Sequence, residues 1–228
     1  MSRTLGGFVA VTCLLGAPAL AQEDPFAEET GFVGPLVWNV SGMYNFPLGD
    51  SADRVYDGWG LTAGVTFNPN PLWGTQFEYG ASWHDLDTGA LASQGIVGDA
   101  FLQYFDLNLV VRPGRAGRVG LYLIGGGGLY YRSVEVAEIT GAAVAPYCDP
   151  WLFYCYGVPV AVGTVIGSRN SWDWGLDAGV GVTFGVAEPV RLYVEARYHY
   201  IFGPSFDTPS GEESADGQYL PLVVGVRF

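Results

Sequence analysis

The chain contains no lysine. Its ten basic residues are all arginine and stand against 23 aspartates and glutamates, a formal net charge of -13. So acidic a balance disfavours nucleic acid as a partner, because phosphate backbones are met by basic faces. Long apolar runs are missing too. Beyond the first 21 residues none approaches the ~18 that a membrane-spanning helix needs. Cysteine is scarce, with Cys13 near the start and Cys148 and Cys155 together much later. Two lone thiols make a poor metal site, and no run of acids has the spacing of a calcium-binding loop. No metal and no cofactor is therefore expected. The four glycines Gly125–Gly128 sit inside an alternating segment, where they let a sheet curve and leave room for facing side chains rather than cradle a phosphate.

What the chain does have is apolar surface without an obvious place to bury it. Hydrophobic residues make up 49% of the sequence, aromatics 15%, and glycine 34 residues. The first 21 residues read as a secretory signal peptide: Arg3, an apolar stretch from Leu5 to Ala17, then Ala19-Leu20-Ala21, with cleavage expected after Ala21. Residues 22–35 are then a short acidic lead-in.

From residue 36 onward, apolar residues recur with a period of two, the mark of strands. Eight such segments are expected, near 36–46, 59–68, 73–84, 101–112, 118–132, 172–184, 190–202 and 219–228. In each, one face is apolar and uncharged (Trp38, Val40 and Tyr44 in the first; Phe105, Leu107 and Leu109 in the fourth), while the other is polar or ionised. An arginine on a lipid-facing position near the bilayer midplane costs about 2–4 kcal/mol, so this partition predicts a barrel with its apolar face in lipid and its charges in the lumen. Aromatics would collect at two levels, Trp59, Trp83, Trp172 and Trp174 at one rim and Trp38, Phe67, Trp73, Phe184 and Phe228 toward the other. Connections alternate in the same sense. Short links near 69–72, 113–117 and 185–189 would face the periplasm, and long ones over 47–58, 85–100, 133–171 and 203–218 the exterior. The fold expected is an all-β, eight-stranded antiparallel up-and-down transmembrane barrel over residues 36–228.

The segments LYLIGGGGLYYR, WDWGLDAGVGVTFGV, VRLYVEARYHYIF and the closing LPLVVGVRF resemble the small eight-stranded outer-membrane barrels of the OmpA and OmpX type. That resemblance extends over nearly all of residues 22–228. It implies residence in the outer membrane of a Gram-negative cell, contact with outer-membrane lipid and lipopolysaccharide, and recognition of Phe228 by the outer-membrane assembly machinery. It does not fix an activity, since one fold hosts many functions.

Eight strands enclose a space that side chains fill, so a porin-like open pore is not expected. Glu78, Asp106, Asp173, Asp177, Glu195, Arg132, Arg191, Arg197 and Arg227 are the lumen candidates, with His84 and His199 near the outer rim. They suit either a fixed ion-pair network or a gated ion path made of rearranging pairs. Glu195 and Arg197 share a face two positions apart, and Arg227, near the far end of its strand, is expected to meet other acids.

Thirteen carboxylates fall in the four long loops, with Arg54 and Arg169 the only basic residues among them. Divalent cations could bridge these acids to lipopolysaccharide. The third loop holds Cys148 and Cys155, expected to form a disulfide in an oxidising compartment, and an apolar stretch of Trp151, Leu152, Phe153, Tyr154 and Tyr156. That stretch is open to two readings, a contact patch for an extracellular ligand or surface partner, or the tip of a hairpin continuing the fifth and sixth strands.

Catalysis is not expected. His199 is followed by Tyr200, Ile201 and Phe202, which does not supply the nearby serine of a lipid A deacylase. His84 with Asp85 and Asp87 matches only part of an outer-membrane protease site. The role expected is structural or surface-interactive, in a monomer, with a narrow gated channel as the alternative and an enzyme acting on lipid A or as a rim protease third. Deleting Phe228 should lower the amount of protein inserted in the outer membrane, measured by heat-modifiable mobility of membrane fractions; unchanged insertion would remove this residue as the assembly signal.

Overall fold

The computed structural model describes residues 35–116, 119–149, 154–187, 189–208 and 211–228. The segment expected as a signal peptide and all of the lead-in before Pro35 lie outside the described residues. Eight strands form a closed antiparallel barrel: β1 (Leu36–Pro47), β2 (Gly58–Phe67), β3 (Trp73–Asp85), β4 (Ile96–Ala116), β5 (Val119–Asp149), β6 (Tyr154–Ala187), β7 (Val190–Phe202) and, after a small hairpin of β8 (Ser205–Thr208) and β9 (Gly211–Ser214), the last strand β10 (Gly217–Arg227). Each barrel strand pairs with its neighbour in sequence, and β10 returns to pair with β1 from Asn39 opposite Arg227 to Pro47 opposite Tyr219. Phe228 carries the ladder one step further, its N–H donating to Trp38 O and its carbonyl accepting from Trp38 N–H. Among the described residues no helix is long and apolar enough to cross a membrane. Strands make the crossing, since only a closed ladder satisfies every backbone group in hydrocarbon.

The period-two pattern sorts the side chains as the sequence predicts. Trp38, Val40 and Tyr44 are exposed on β1, while Asn39, Ser41, Met43 and Asn45 are buried. On β4, Leu107 is 59% exposed and its neighbours Asp106 and Asn108 are buried. The outward face is thus apolar and the interior polar, the inverse of a soluble domain. One outward position departs from the pattern. Ala81 is buried, because its methyl group lies between the larger Leu61 and Gln103, its register partners, and cannot stand above them. Aromatic rings meet along the outer rim, with Trp59 and Trp83 at 4.9 Å, Trp83 and Phe101 at 5.5 Å, Tyr131 and Trp172 at 5.1 Å, and Trp174 stacked on Phe202 at 4.0 Å.

Three strands run far beyond their expected ends. β4 begins at Ile96 rather than Phe101, β5 continues past Arg132 to Asp149, and β6 starts at Tyr154 rather than Trp172. The 31 residues of β5 span on the order of 100 Å at ~3.3 Å per residue, several times a ~25 Å apolar band. The region expected as the third external loop is therefore a protruding ribbon, which agrees with the second reading of that segment, a hairpin continuing the fifth and sixth strands. It leaves the barrel wall where β4 stops pairing, at Ile96 opposite Glu138, and β5 and β6 shift register there, between Val136 and Ala137 and between Ile139 and Gly141. Such bulges sharpen strand twist and bend. The fourth loop likewise holds the β8–β9 hairpin instead of irregular chain.

Replacing Leu107 by Arg should destabilise the barrel by about 2–4 kcal/mol in lipid vesicles, measured by denaturant titration, and Leu107→Ala should cost much less.

Candidate functional site: the lumen and the outer mouth

The lumen is organised around Arg197 on β7. Its guanidinium donates to Glu195 through both Nε and Nη2, the Nε contact at 2.9 Å, and its Nη1 lies 3.0 Å from Glu78 Oε1. Asp177 Oδ1 is 3.7 Å from Nε and Asp106 Oδ2 is 4.0 Å from Nη1. Arg197 is 1% exposed, so this hub is sealed from water, where an ion pair is best held when its remaining polar atoms also find partners. Those of Glu78 and Glu195 do, whereas among the described residues Asp106 Oδ1 and both Asp177 oxygens accept no hydrogen bond. Glu78 Oε2 accepts from Gln76 Nε2 at 2.7 Å and from Asn39 Nδ2 at 3.3 Å, while Gln76 Oε1 accepts from Thr66 Oγ1. Glu195 Oε2 accepts from Tyr122 OH at 2.7 Å, and Tyr122 OH accepts from Arg227 Nη2 at 3.0 Å. Tyr130 OH lies 2.7 Å from His199 Nδ1 and donates to Asp106 at 3.3 Å. Counted by strand, the network draws on β1, β2, β3, β4, β5, β6, β7 and β10, every strand of the barrel.

Of the nine lumen candidates, the structure gathers Glu78, Asp106, Asp177, Glu195, Arg197 and Arg227 into this one system. Arg227 does not seek separate acids, as its position in sequence suggested. It lies 3.6 Å from the same Glu195, with its guanidinium between the rings of Tyr122 and Tyr193 at 4.4 and 4.3 Å. The long arginine stem carries its charge well up the barrel from its Cα. Arg132 and Asp173 form a separate pair nearer the outer rim, at 2.6 Å, where Arg132 also donates to Ala215 O. Arg191 sits opposite Arg227 in register and is half-buried. The four-glycine run does leave room: a Cβ on Gly128 would fall 2.1 Å from Asp106 Oδ1, and on Gly181 in β6 2.2 Å from the Tyr122 ring.

The outer mouth is capped by its own loops. Val55 bridges to Leu86, Tyr56 N–H donates to Asp85 O, and Ser51 Oγ accepts from Gln218 N–H at 3.0 Å, tying the first, second and fourth connections together. Beneath them lies a pair that sequence reasoning missed. Ser82 Oγ and His84 Nε2, two residues apart on β3, are 3.0 Å apart, and Asn45 Nδ2 reaches both at 3.3 Å. A Ser-x-His spacing on one strand was the available signal. As a nucleophile Ser82 is badly placed, since it is fully buried and faces the lumen, so a lipid would have to pass through the barrel wall to meet it. His84 Nδ1 lies against Tyr56 O rather than a carboxylate. His84, Asp57, Asp85, Asp99 and Glu135 line a cleft of about 430 Å³ with Trp59, Trp83 and Phe101, yet no three acidic, histidine or cysteine side chains among the described residues are grouped to hold a metal ion. Asp87 accepts from Gly89 N–H within its own turn. At the fourth loop, burial pushes the Asp216 carboxyl up, but hydrogen bonds with Ser214, Tyr200 and Gly203 and the Arg132 charge outweigh it and hold the group below its ordinary value.

In the ribbon, Cys148 stands opposite Cys155 in register, but their side chains lie outside the described residues, as do Trp151, Leu152 and Phe153 entirely and the side chains of Tyr154 and Tyr156.

A closed antiparallel barrel, apolar outside and ion-paired within, defines an integral membrane β-barrel of the outer-membrane kind. Residues 8–228 match the family model described as the outer membrane protein beta-barrel domain, and the chain belongs to that family. Among solved structures it is similar to a major outer membrane protein from Thermus thermophilus (13% identity, 86% of this chain and 99% of that one, TM-score 0.51). It is likewise similar to Neisserial surface protein A (14% identity, 85% and 96%, TM-score 0.50). The attachment invasion locus protein Ail of Yersinia pestis aligns at 13% identity over 85% of this chain and 97% of its own, with a TM-score of 0.47. At such identities the first two likenesses are of fold alone. No curated protein matches the chain.

Replacing Arg197 by Met should cost about 3–5 kcal/mol in denaturant unfolding, because four carboxylates lose a shared partner. Glu195→Gln, which keeps a hydrogen-bonding oxygen, should cost less.

Proposed function

We propose that this protein is a closed, non-conducting outer-membrane barrel whose work is done above the membrane, through the β5–β6 ribbon and the acidic loops around it. The observation that carries this reading is the pairing of the two halves of the molecule. The lumen is tied across by contacts from all eight barrel strands, and the longest strands go on beyond the wall. A gated path would have to part Arg197 from Glu195 and Glu78 in a sealed interior, where separated charges are costly.

The ribbon is built to be seen from outside. Beyond Ile139, β5 pairs only with β6, and Val144 is 73% exposed, with Val165 and Ile166 each more than half exposed. Exposed apolar side chains on a projecting ribbon suit contact with a partner surface, either another cell or an extracellular macromolecule. The register opposition of Cys148 and Cys155 supports a disulfide at the tip, since directly opposed strand residues stand at the Cα spacing a disulfide bridges, roughly 4.5–5.5 Å. Outer-membrane lipid and lipopolysaccharide would surround the wall, with divalent cations between the loop carboxylates and anionic lipid. The protein would act as a monomer delivered by the assembly machinery.

In planar bilayers the purified protein should show no steady, reproducible openings; regular conductance steps would overturn the closed-barrel reading. Excision of residues 140–163 with a short turn in their place should leave heat-modifiable folding intact while abolishing adherence of expressing cells to a surface that binds the full-length protein.

A further inference from the structure

The four long connections carry thirteen carboxylates and only two basic residues, Arg54 and Arg169, which lie in different connections 115 positions apart. Both line the same cavity. This vestibule of about 310 Å³ opens at the outer mouth between the first connection, the base of the ribbon and the β8–β9 hairpin, and Arg132 completes a third cationic corner. On an outer surface this acidic, gathering every loop arginine at one concavity concentrates positive potential there, because a low-dielectric cleft focuses the field of the charges that line it.

The three guanidinium groups differ in how far they are already engaged. Arg132 is held by Asp173 and by Ala215 O, and forms a fixed corner of the vestibule. Arg169 is laid over the Phe206 ring, its guanidinium carbon 4.3 Å from the centroid, which orients the fork without using its donors. Among the residues whose side chains are described, which leaves out Asp207, Glu212 and Glu213, neither Arg54 nor Arg169 has a carboxylate within ion-pair distance, and both are exposed. The opposing acid at the rim, Asp216, already accepts from Tyr200 OH and Gly203 N–H. The remaining wall mixes apolar and aromatic side chains, among them Val55, Leu86, Leu102, Val134 and Phe206, with the polar Ser51, His84, Ser133, Asn170 and Ser171.

We infer that this vestibule binds a small organic anion with an apolar or aromatic body, its carboxylate received by Arg54 and Arg169 and its body against Val55, Leu102 and Phe206. Planar forks suit carboxylates because two parallel N–H donors meet two oxygens. The volume is at the lower end of ligand-binding cavities, so the occupant is a single-ring or two-ring molecule rather than a chain of sugars or a peptide. This site stands apart from the ribbon and does not depend on the ribbon being a contact surface.

The test uses the full-length protein in lipid nanodiscs, with 2-naphthoate and its neutral amide titrated by calorimetry. Saturable binding of the acid is expected, with the amide at least ten-fold weaker. Arg54→Gln and Arg169→Gln should each weaken the acid five-fold or more, and Arg169→Lys should recover part of the loss. Asp53→Asn, outside the vestibule, should change nothing. Heat-modifiable mobility of each variant checks that the barrel has formed. Absence of saturable binding, equal affinity for acid and amide, or wild-type affinity in the folded Arg54→Gln, Arg169→Gln double variant would overturn the inference.

Discussion

Everything in this molecule follows from one requirement, that no backbone N–H or C=O may face hydrocarbon unpaired. The requirement is met at the seam between β1 and β10, where Phe228 and Trp38 exchange both hydrogen bonds at 3.0 and 2.9 Å. Without that seam the sheet would have two edges in lipid. With it, all eight strands are bound into a ring, the outward face must be apolar, and whatever is polar must point in. The lumen is the consequence. Eight strands leave too little room for water to solvate nine ionisable groups, so most of those groups have to solvate one another.

The solution adopted is a hub. Arg197 gathers acids from β3, β4, β6 and β7, and Asn39, Gln76 and Tyr122 donate further hydrogen bonds to Glu78 and Glu195. A guanidinium suits this position because its donors fan out in a plane and can serve several carboxylates at once, which a lysine ammonium does less well. The bulk of Tyr104, Tyr122 and Tyr130 is admitted by glycines on neighbouring strands: a Cβ on Gly80 would fall 2.1 Å from the Tyr104 ring. Composition, wall and lumen are therefore one problem. The glycine content that is unusual for a soluble domain is what lets an interior of large polar rings close.

This also explains which features could be read from the sequence. Faces and strand order were legible because a one-residue slip would turn every apolar side chain inward, so the alternation holds within the wall-spanning part of each barrel strand. The inward direction of Glu78, Asp106, Asp177, Glu195, Arg197 and Arg227 was legible for the same reason. The wiring of the lumen was not, because periodicity gives the direction of a side chain but not its reach: Arg227 arrives at Glu195 only through the length of its stem. The true ends of β4, β5 and β6 were obscured by a different cause. The expected ends followed the position of the bilayer, and outside the bilayer strands need not stop. The signals were present in the alternation of Ser133-Val134-Glu135-Val136 and in the β-branched stretch from Val158 to Ile166. The mouth vestibule was least legible, since Arg54, Arg132 and Arg169 are brought together by three separate parts of the chain.

The ribbon shows where this architecture has freedom. A change in the wall meets lipid, and a change in the lumen leaves a buried charge without its partner, so both are held by strong penalties. Beyond Ile139 neither penalty applies. Yet the chain keeps two-stranded pairing there for many residues, with apolar side chains such as Val144 turned to water, although a lone two-stranded ribbon is marginally stable. A loop needed only to connect β5 and β6 could be a few polar residues. A rigid paired extension with exposed apolar side chains makes physical sense if a surface covers it, because contact then removes from water the area that the ribbon alone leaves exposed.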